Sequence, residues 1–440
     1  MIKLIKICLF ILLGMLRLDI YSQQDTTFIQ NSNSLNELIN EAVADNPQLK
    51  AARNETDAQK TKIDQVTAWE PPQVGVTFYQ TPIQSFPNPI KDGMETDYYI
   101  QQMFPFPGKL GNMGKSAENN AEMYAQNYKE LERYIIEQLK SDYYELYYVQ
   151  KKIDLNKENQ KLLNQLTGIT AKQYEVGIGR QTDMLRAQTE LSTLINNGVN
   201  LEKEKRNVET MLNTILNRPP DKTFPEITSV NDSISGLSDN QFSLNYNKLS
   251  ELAFNNRAEL KAMQYNIKMN EAELAESKLE YYPDIMVQLM YKNMSGTTKD
   301  FWSTMVGVNI PLAFWSKDKY TGKVQENEIN ISSAQEQFNA AKNMISSEVQ
   351  SALVKIESNK NLMELYRNTV IPQSRQTLQS TLAEYQTGKT EFLMVIDAYK
   401  MVLMTHQDYY MAQMEYMQGQ AQLEKAVGLS MDDIHEKLKD

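Results

Sequence analysis

The chain repeats itself. The stretch Tyr385-Gln386-Thr387-Gly388-Lys389-Thr390-Glu391-Phe392-Leu393-Met394-Val395-Ile396-Asp397-Ala398 has an earlier counterpart that runs from Tyr174 to Ala187. Tyr, Gly and Ala fall at matching places 211 positions apart. The same offset relates Leu49-Lys50-Ala51 to Leu260-Lys261-Ala262, and Pro72 to Pro283. Pro105 and Pro311 are only 206 apart, so the first copy carries an insertion between Pro72 and Pro105 that is made up before the glycine turn. A long fixed period means two related halves, and an insertion of this kind belongs in a loop.

Lys3 and Lys6 precede an apolar run from Ile7 to Leu16, and Ser22 offers a small residue before Gln23. This predicts a secretory signal over residues 1–22, cleaved after Ser22. An anchoring helix is the alternative, although the run is short for a bilayer. Cys8, the single cysteine, lies inside the signal, so the mature chain has no disulfide and no thiol chemistry. A net charge of −11 over 440 residues argues against nucleic acid as a partner. Mean hydropathy of −0.53 argues against a helical membrane protein, but it leaves a β-barrel open, because barrel strands carry a weak hydropathy signal.

The helical pattern from Leu35 to about Val66 stops at Pro71-Pro72. Residues 73–80 alternate, with Val74, Val76 and Phe78 on one face. A Pro- and Gly-containing loop and a second, aromatic strand to Phe104 complete a β-hairpin over residues 73–104. A long helix from about Lys115 to Glu175 follows, with an apolar stripe at Leu131, Ile135, Leu139, Tyr143, Leu146, Val149 and Ile153. Its mean step of about 3.67 keeps a helix nearly straight. A return helix from about Gln181 to Leu216 closes a first repeat over residues 23–217, and residues 218–247 read as a linker. The second repeat, 248–430, has the same plan: a helix to about Glu280, a hairpin over 284–310, and a rod from about Lys319 to Tyr385 with a kink expected at Pro372. Its return helix runs from about Phe392 to Val427, and residues 431–440 form a tail.

In the second hairpin Ile285, Val287, Leu289 and Tyr291 share a face, as do Trp302, Thr304, Val306, Val308 and Ile310. Strands of about nine residues with an apolar face and aromatic ends suit a bilayer. Strands exposed to lipid need a closed barrel, and four cannot close one, so several chains must share it. A soluble hairpin that caps a coiled-coil rod fits the same periodicity.

Several features together resemble the TolC family of outer-membrane efflux proteins, and more loosely its CusC/CzcC-like branch. They are the duplicated half, Asn46-Pro47-Gln48-Leu49 near its start, Pro283-Asp284 entering a strand, and Phe104-Pro105-Phe106-Pro107-Gly108-Lys109 leaving one. The two Tyr-x-x-Gly…Ala turns complete the set. The resemblance spans nearly the whole mature chain. It implies a mainly α fold with a small β part: two structural repeats whose long helical hairpins form a periplasmic tunnel, plus four strands given to a trimeric twelve-stranded barrel in the outer membrane. It further implies a homotrimer set in outer-membrane lipid, passive export with no enzymatic activity and no cofactor, a periplasmic adaptor protein, and an inner-membrane pump of the RND or ABC class. No lipid anchor is expected. The alternative function is a periplasmic helical-hairpin adaptor without a pore of its own, which would need a single hairpin flanked by a lipoyl-like β-domain.

By the same resemblance the two turns form the adaptor-contacting tip, through Val176, Gly177, Ile178, Gly179 and Arg180 with Thr387, Gly388, Lys389 and Thr390. A periplasmic gate falls at Asp183, Met394 and Asp397, with Met394 standing where the family carries an aspartate. The bland readings are a simple turn and a helix-start carboxylate favoured by the helix dipole. Met394, Met401, Met404, Met411, Met414 and Met417 recur at steps of seven and three; they read as flexible seam filler, with soft-metal binding as the sharper option. His406 and His435 lack partners at ligand spacing. The run from Gly108 to Ser116 lacks the first glycine of a phosphate loop and reads as a strand-to-helix corner.

Overall fold

The computed structural model describes residues 35–85, 88, 90, 93–227, 245–294, 299–311 and 313–439. The expected signal and most of the expected linker lie outside these residues. The first repeat comprises α1 (Leu35–Asp45), α2 (Pro47–Thr67), β1 (Gln73–Tyr79), β2 (Glu95–Phe104), α3 (Lys109–Glu175) and α4 (Gln181–Ile215). The second comprises α5 (Tyr246–Asn256), α6 (Ala258–Leu279), β3 (Ile285–Met294), β4 (Phe301–Val308), α7 (Lys317–Leu365), α8 (Ile371–Gln386) and α9 (Phe392–Val427). A short α10 (Met431–Lys439) follows, pinned by the buried Ile434.

The first helix expected in each repeat is two helices. Asn46 sits in extended backbone and its Oδ1 accepts from the N–H groups of Gln48 (2.9 Å) and Leu49 (3.3 Å). Pro47 takes the first helical position, where no N–H is needed. The second repeat breaks 211 positions later, at Arg257. The rod α3 begins at Lys109, earlier than its glycines suggest, because only Gly108 is left-handed (φ 95°). At about 1.5 Å per residue its 67 residues span about 100 Å. The second rod holds a π turn, Tyr366–Val370, just before Pro372. The wider turn accommodates the missing proline N–H without ending the helix.

Five of the seven expected stripe residues on α3 are buried: Ile135, Leu139, Leu146, Val149 and Ile153. Leu139 and Leu146 join Val208 and Leu212 of α4 and Leu38 and Leu49 of α1 and α2 in one core. An equivalent core in the second repeat gathers Ile345, Val349 and Ala352 of α7 with Tyr416 and Leu423 of α9. A third core near the turns joins the repeats, with Leu163, Leu166 and Leu194 against Leu378, Phe392 and Tyr399. Each fully buried leucine of this kind contributes roughly 1.5–3 kcal/mol.

The four strands form one antiparallel sheet in the order β1-β2-β3-β4. The repeats therefore join through β2 and β3. At the corner where the strands meet the rods, Asp284 accepts from the backbone N–H of Phe106 and from Lys109 Nζ, both at 2.7 Å. Lys109 is thus held in an ion pair across the two repeats, as a structural corner requires.

Candidate functional site

Two regions stand out: the sheet at one end of the rods and the paired turns at the other. Across the sheet the register aligns Val74, Ile100, Leu289 and Thr304, and aligns Val76, Tyr98, Tyr291 and Trp302. These rows lie on one face, which is open: Val74 is 75% exposed, Trp302 74% and Val306 66%. The row Phe104–Ile285–Val308 and the row Tyr98–Tyr291–Trp302 are separated by about 20 Å of strand. Aromatic rings mark both ends of that band. Trp69 meets Phe104 edge-on at 5.2 Å beside the rods, and Tyr98 lies 6.3 Å from Tyr291 at the far end.

The opposite face carries Gln101, Gln288, Glu95, Asp97 and Lys292, and it is the more enclosed, with Gln288 and Asp97 buried. Tyr99 covers Gly75 so closely that any side chain there would collide with its ring. An apolar exposed face and a polar enclosed one are the two surfaces of a barrel wall. Among the described residues both edge strands, β1 and β4, pair with a strand on one side only. No described helix is long and apolar enough to cross a membrane.

The two turns are the same motif. Gly177 (φ 78°) and Gly388 (φ 70°) occupy the left-handed position after α3 and α8. Gly177 N–H donates to Tyr174 O and Ile178 N–H to Gln173 O; Gly388 N–H donates to Tyr385 O and Lys389 N–H to Glu384 O. This paired closure satisfies the last carbonyls of each helix and requires φ > 0 at the glycine. Adding a Cβ at either glycine would meet nothing, so conformation alone selects glycine there. Val176 and Ile178 are 69% and 77% exposed, and Thr387, Gly388 and Lys389 are exposed beside them.

The turns are joined by Arg180 and Glu391, residues at equivalent positions of the two repeats, whose side chains pair at 3.1 Å. The offset that aligns the turns also aligns these opposite charges, a signal present in the sequence that did not single out Glu391. Asp183 lies against Tyr385; burial, with the Asp183 carboxylate adding to it, pushes the Tyr385 phenol up to about 12. Tyr385 in turn packs on Phe392, ring centroids 5.3 Å apart. Met394 and Asp397 stand one turn apart on the open face of α9, away from this contact. That face continues through Met401, Met404, Asp408, Met411 and Glu415 at alternating steps of four and three. The seam-filler expectation holds for the buried Met417, while Met394, Met401, Met404 and Met411 are exposed in the single chain. Among the described residues no group of three or more His, Cys, Asp or Glu side chains is placed to hold a metal ion.

A long-rod, open-sheet architecture of this kind defines an outer-membrane channel subunit. A profile of the outer membrane efflux protein family matches residues 38–218 and 249–429, one match per repeat. The chain belongs to that family, as the TolC-like motifs led one to expect. An uncharacterized Haemophilus influenzae protein is 21% identical over 329 residues, covering 70% of each chain. Among solved structures, CusC superposes with a TM-score of 0.78 at 15% identity, covering 90% of this chain and 92% of that one. The outer membrane protein VceC of Vibrio cholerae superposes with a TM-score of 0.74 at 15% identity, covering 90% and 96%. At these identities the likeness establishes the fold.

Proposed function

We propose that three copies of this chain close a twelve-stranded barrel through their β1 and β4 edges and form the exit duct of a tripartite efflux or export system. The observation that carries this reading is the sheet itself. Four strands present an apolar row to one side, a polar row to the other, and two edges that no described strand pairs with. Unpaired edges in hydrocarbon cost several kcal/mol per backbone group, and a second and third copy remove them. The rods then form a hollow periplasmic stalk. The exposed tip, Val176 to Arg180 with Thr387 to Thr390, supplies the contact for a periplasmic adaptor, since exposed apolar groups rimmed by charge suit an interface. Asp183, Met394 and Asp397 line the inner end of the conduit. Transport is passive, driven by an inner-membrane pump of the RND or ABC class. The domain bounds at 217, 248 and 430 are the limits of the two repeats in this scheme.

Charging the lipid row tests it. Leu289→Arg or Val306→Arg is expected to abolish heat-modifiable trimers in detergent-extracted outer membrane, at a cost of about 2–4 kcal/mol per charge near the bilayer midplane. Normal trimer yield in both variants overturns the assignment.

A further inference from the structure

The open face of α9 runs for about six turns and mixes two kinds of group. Four thioethers, Met394, Met401, Met404 and Met411, alternate with the carboxylates Asp397, Asp408 and Glu415. Met404 is 61% exposed, an apolar side chain standing in the open on a folded rod. The opposite face of the same helix carries Phe392, Val395, Ile396 and Tyr399, buried in the core near the turns. Further along, α9 is flanked on both sides by its own chain. Tyr147 Oη of α3 donates to Gln413 Oε1 at 3.3 Å, and Lys355 Nζ of α7 donates to Gln418 Oε1 at 3.4 Å. The outer rods of the four-helix wall are α4 and α7. A neighbouring copy therefore docks on those rods, and the methionine stripe stays uncovered. Lys400 is the only lysine or arginine between Met394 and Glu415, and it pairs with Glu190 at 2.9 Å rather than with the carboxylates of the stripe.

We propose that this stripe is a low-affinity track for amphipathic organic cations on their way through the conduit. The inference rests on the efflux-duct reading, in which Met394 and Asp397 line the inner end of the conduit, and it names the class of cargo. Thioether side chains are flexible and polarizable, so a row of them meets aromatic and aliphatic groups of many shapes. Every methionine of the stripe has a carboxylate three or four residues away, on the neighbouring turn. Those carboxylates attract a positive charge and oppose anions, and threefold symmetry repeats them around the pore. Both parts are needed. A wholly apolar stripe would retain its cargo, and a wholly acidic one would favour small inorganic cations. Closely spaced weak sites suit conduction, because each must bind firmly enough to admit the cargo and loosely enough to release it.

The probe is tritiated tetraphenylphosphonium, an aromatic cation without hydrogen-bonding groups. Its saturable binding to the purified protein in detergent is read by scintillation proximity. Tetramethylammonium, equal in charge and far smaller in apolar surface, should compete about tenfold less well. Met401→Gln with Met404→Gln keeps the helix and the side-chain length, and should weaken tetraphenylphosphonium binding about fivefold. Asp408→Asn with Glu415→Gln should also weaken it about fivefold, through the lost charge. Sedimentation of the same samples reads the assembly separately. Protein that stays a single chain overturns the efflux-duct reading, and the track with it. A trimer with no saturable binding, or with binding unchanged in the methionine pair, overturns this inference alone. Silver ions that bind through Met401 and Met404 to a trimer with no affinity for tetraphenylphosphonium also overturn it, and assign the stripe to a soft metal.

Discussion

Asn46 and Arg257 occupy equivalent positions in the two repeats, and both hold the last turn of the return helix in their own repeat. Asn46 Nδ2 donates to Ile215 O at 2.9 Å, and Arg257 Nη1 donates to Lys425 O. The geometry is shared and the chemistry is not. Asn46 is a neutral side chain that caps its own helix and reaches one carbonyl of the return helix. Arg257 is 2% exposed and sits among Glu130 (3.0 Å), Glu348 (3.1 Å) and Glu259 (3.4 Å), so it ties α3 and α7 to the break as well. Burial pushes the Glu130 carboxyl above its ordinary range, with Arg257 pulling it back. The helix ends alongside differ in the same way: Asn217 (φ 54°) ends the first return helix where Gly428 (φ 77°) ends the second. The first repeat thus makes this contact with a neutral amide. The second uses one buried cation that several helices share.

If that contrast is right, the two breaks should fail very differently. Arg257→Met removes the buried cation that three partly buried carboxylates share, and its expected cost is up to about 3–5 kcal/mol, the upper limit set by fully buried pairs. Asn46→Ala should cost only about 1 kcal/mol, the loss of a cap. Thermal unfolding of the purified protein reads both. Equal losses would mean that the Arg257 cluster is no more than a cap with extra length. Adding Glu130→Gln to Arg257→Met should recover part of the loss, because it removes the carboxylate most enclosed with the guanidinium.

The cores show a second contrast. On α7 the inward positions Ala341, Ile345, Val349, Ala352 and Ile356 are apolar without interruption. On α3 the matching stripe is broken by Asp142, buried between Leu139 and Leu146, with Gln138 as its hydrogen-bond partner at 3.1 Å. Burial raises its carboxyl from 3.8 to about 6. The folded chain therefore holds this proton more tightly than the unfolded chain does. No penalty exists below about pH 3.8; it grows as pH rises through the folded value and is complete above about pH 6. A shift of that size corresponds to about 3 kcal/mol. Asp142→Asn should therefore stabilise the protein at pH 8 by up to this amount and leave it nearly unchanged at pH 4. A stabilisation independent of pH would show that the gain comes from packing rather than from the charge.

The sequence revealed the duplication, the strand faces and both turns, because each has a short local signature: a period of two, a glycine in the left-handed position, or a proline stop. The break at Asn46 was missed inside a helix expected from Leu35 to about Val66, although Asn followed by Pro is a helix-start signal. The break at Arg257 was missed too. Asn256-Arg257-Ala258 carries no stop signal, and the bend is held by partners as distant as Glu130 and Lys425. Glu95, Asp97 and Lys292 were hidden for the same reason. Charges on a strand read as loop-end polarity until the register brings β2 beside β3. The tip and gate positions came from resemblance. The pairing of Arg180 with Glu391 and the contact of Asp183 with Tyr385 needed the turns to be side by side in space.

The smallest expected effect is also the most direct exchange between repeats. Arg218 in the first repeat makes a paired contact with both oxygens of Glu41, mostly shielded from water, and its guanidinium lies 5.6 Å from the Phe224 ring. The positions 211 later are Leu429 and Leu252, and both pack against the second apolar core. The protein has therefore filled one structural slot once with an ion pair and once with two leucines. Replacing a shielded ion pair by apolar residues of similar volume is often neutral or mildly stabilising, because the desolvation of two charges offsets their attraction. Removing one partner is different, since it strands the other. Arg218→Leu alone should lower stability by about 1–3 kcal/mol. Glu41→Leu with Arg218→Leu should return to within about 1 kcal/mol of the parent. A double variant as unstable as the sum of its single changes would show that the first repeat needs the ion pair for its geometry. The two slots would then be alike in position only.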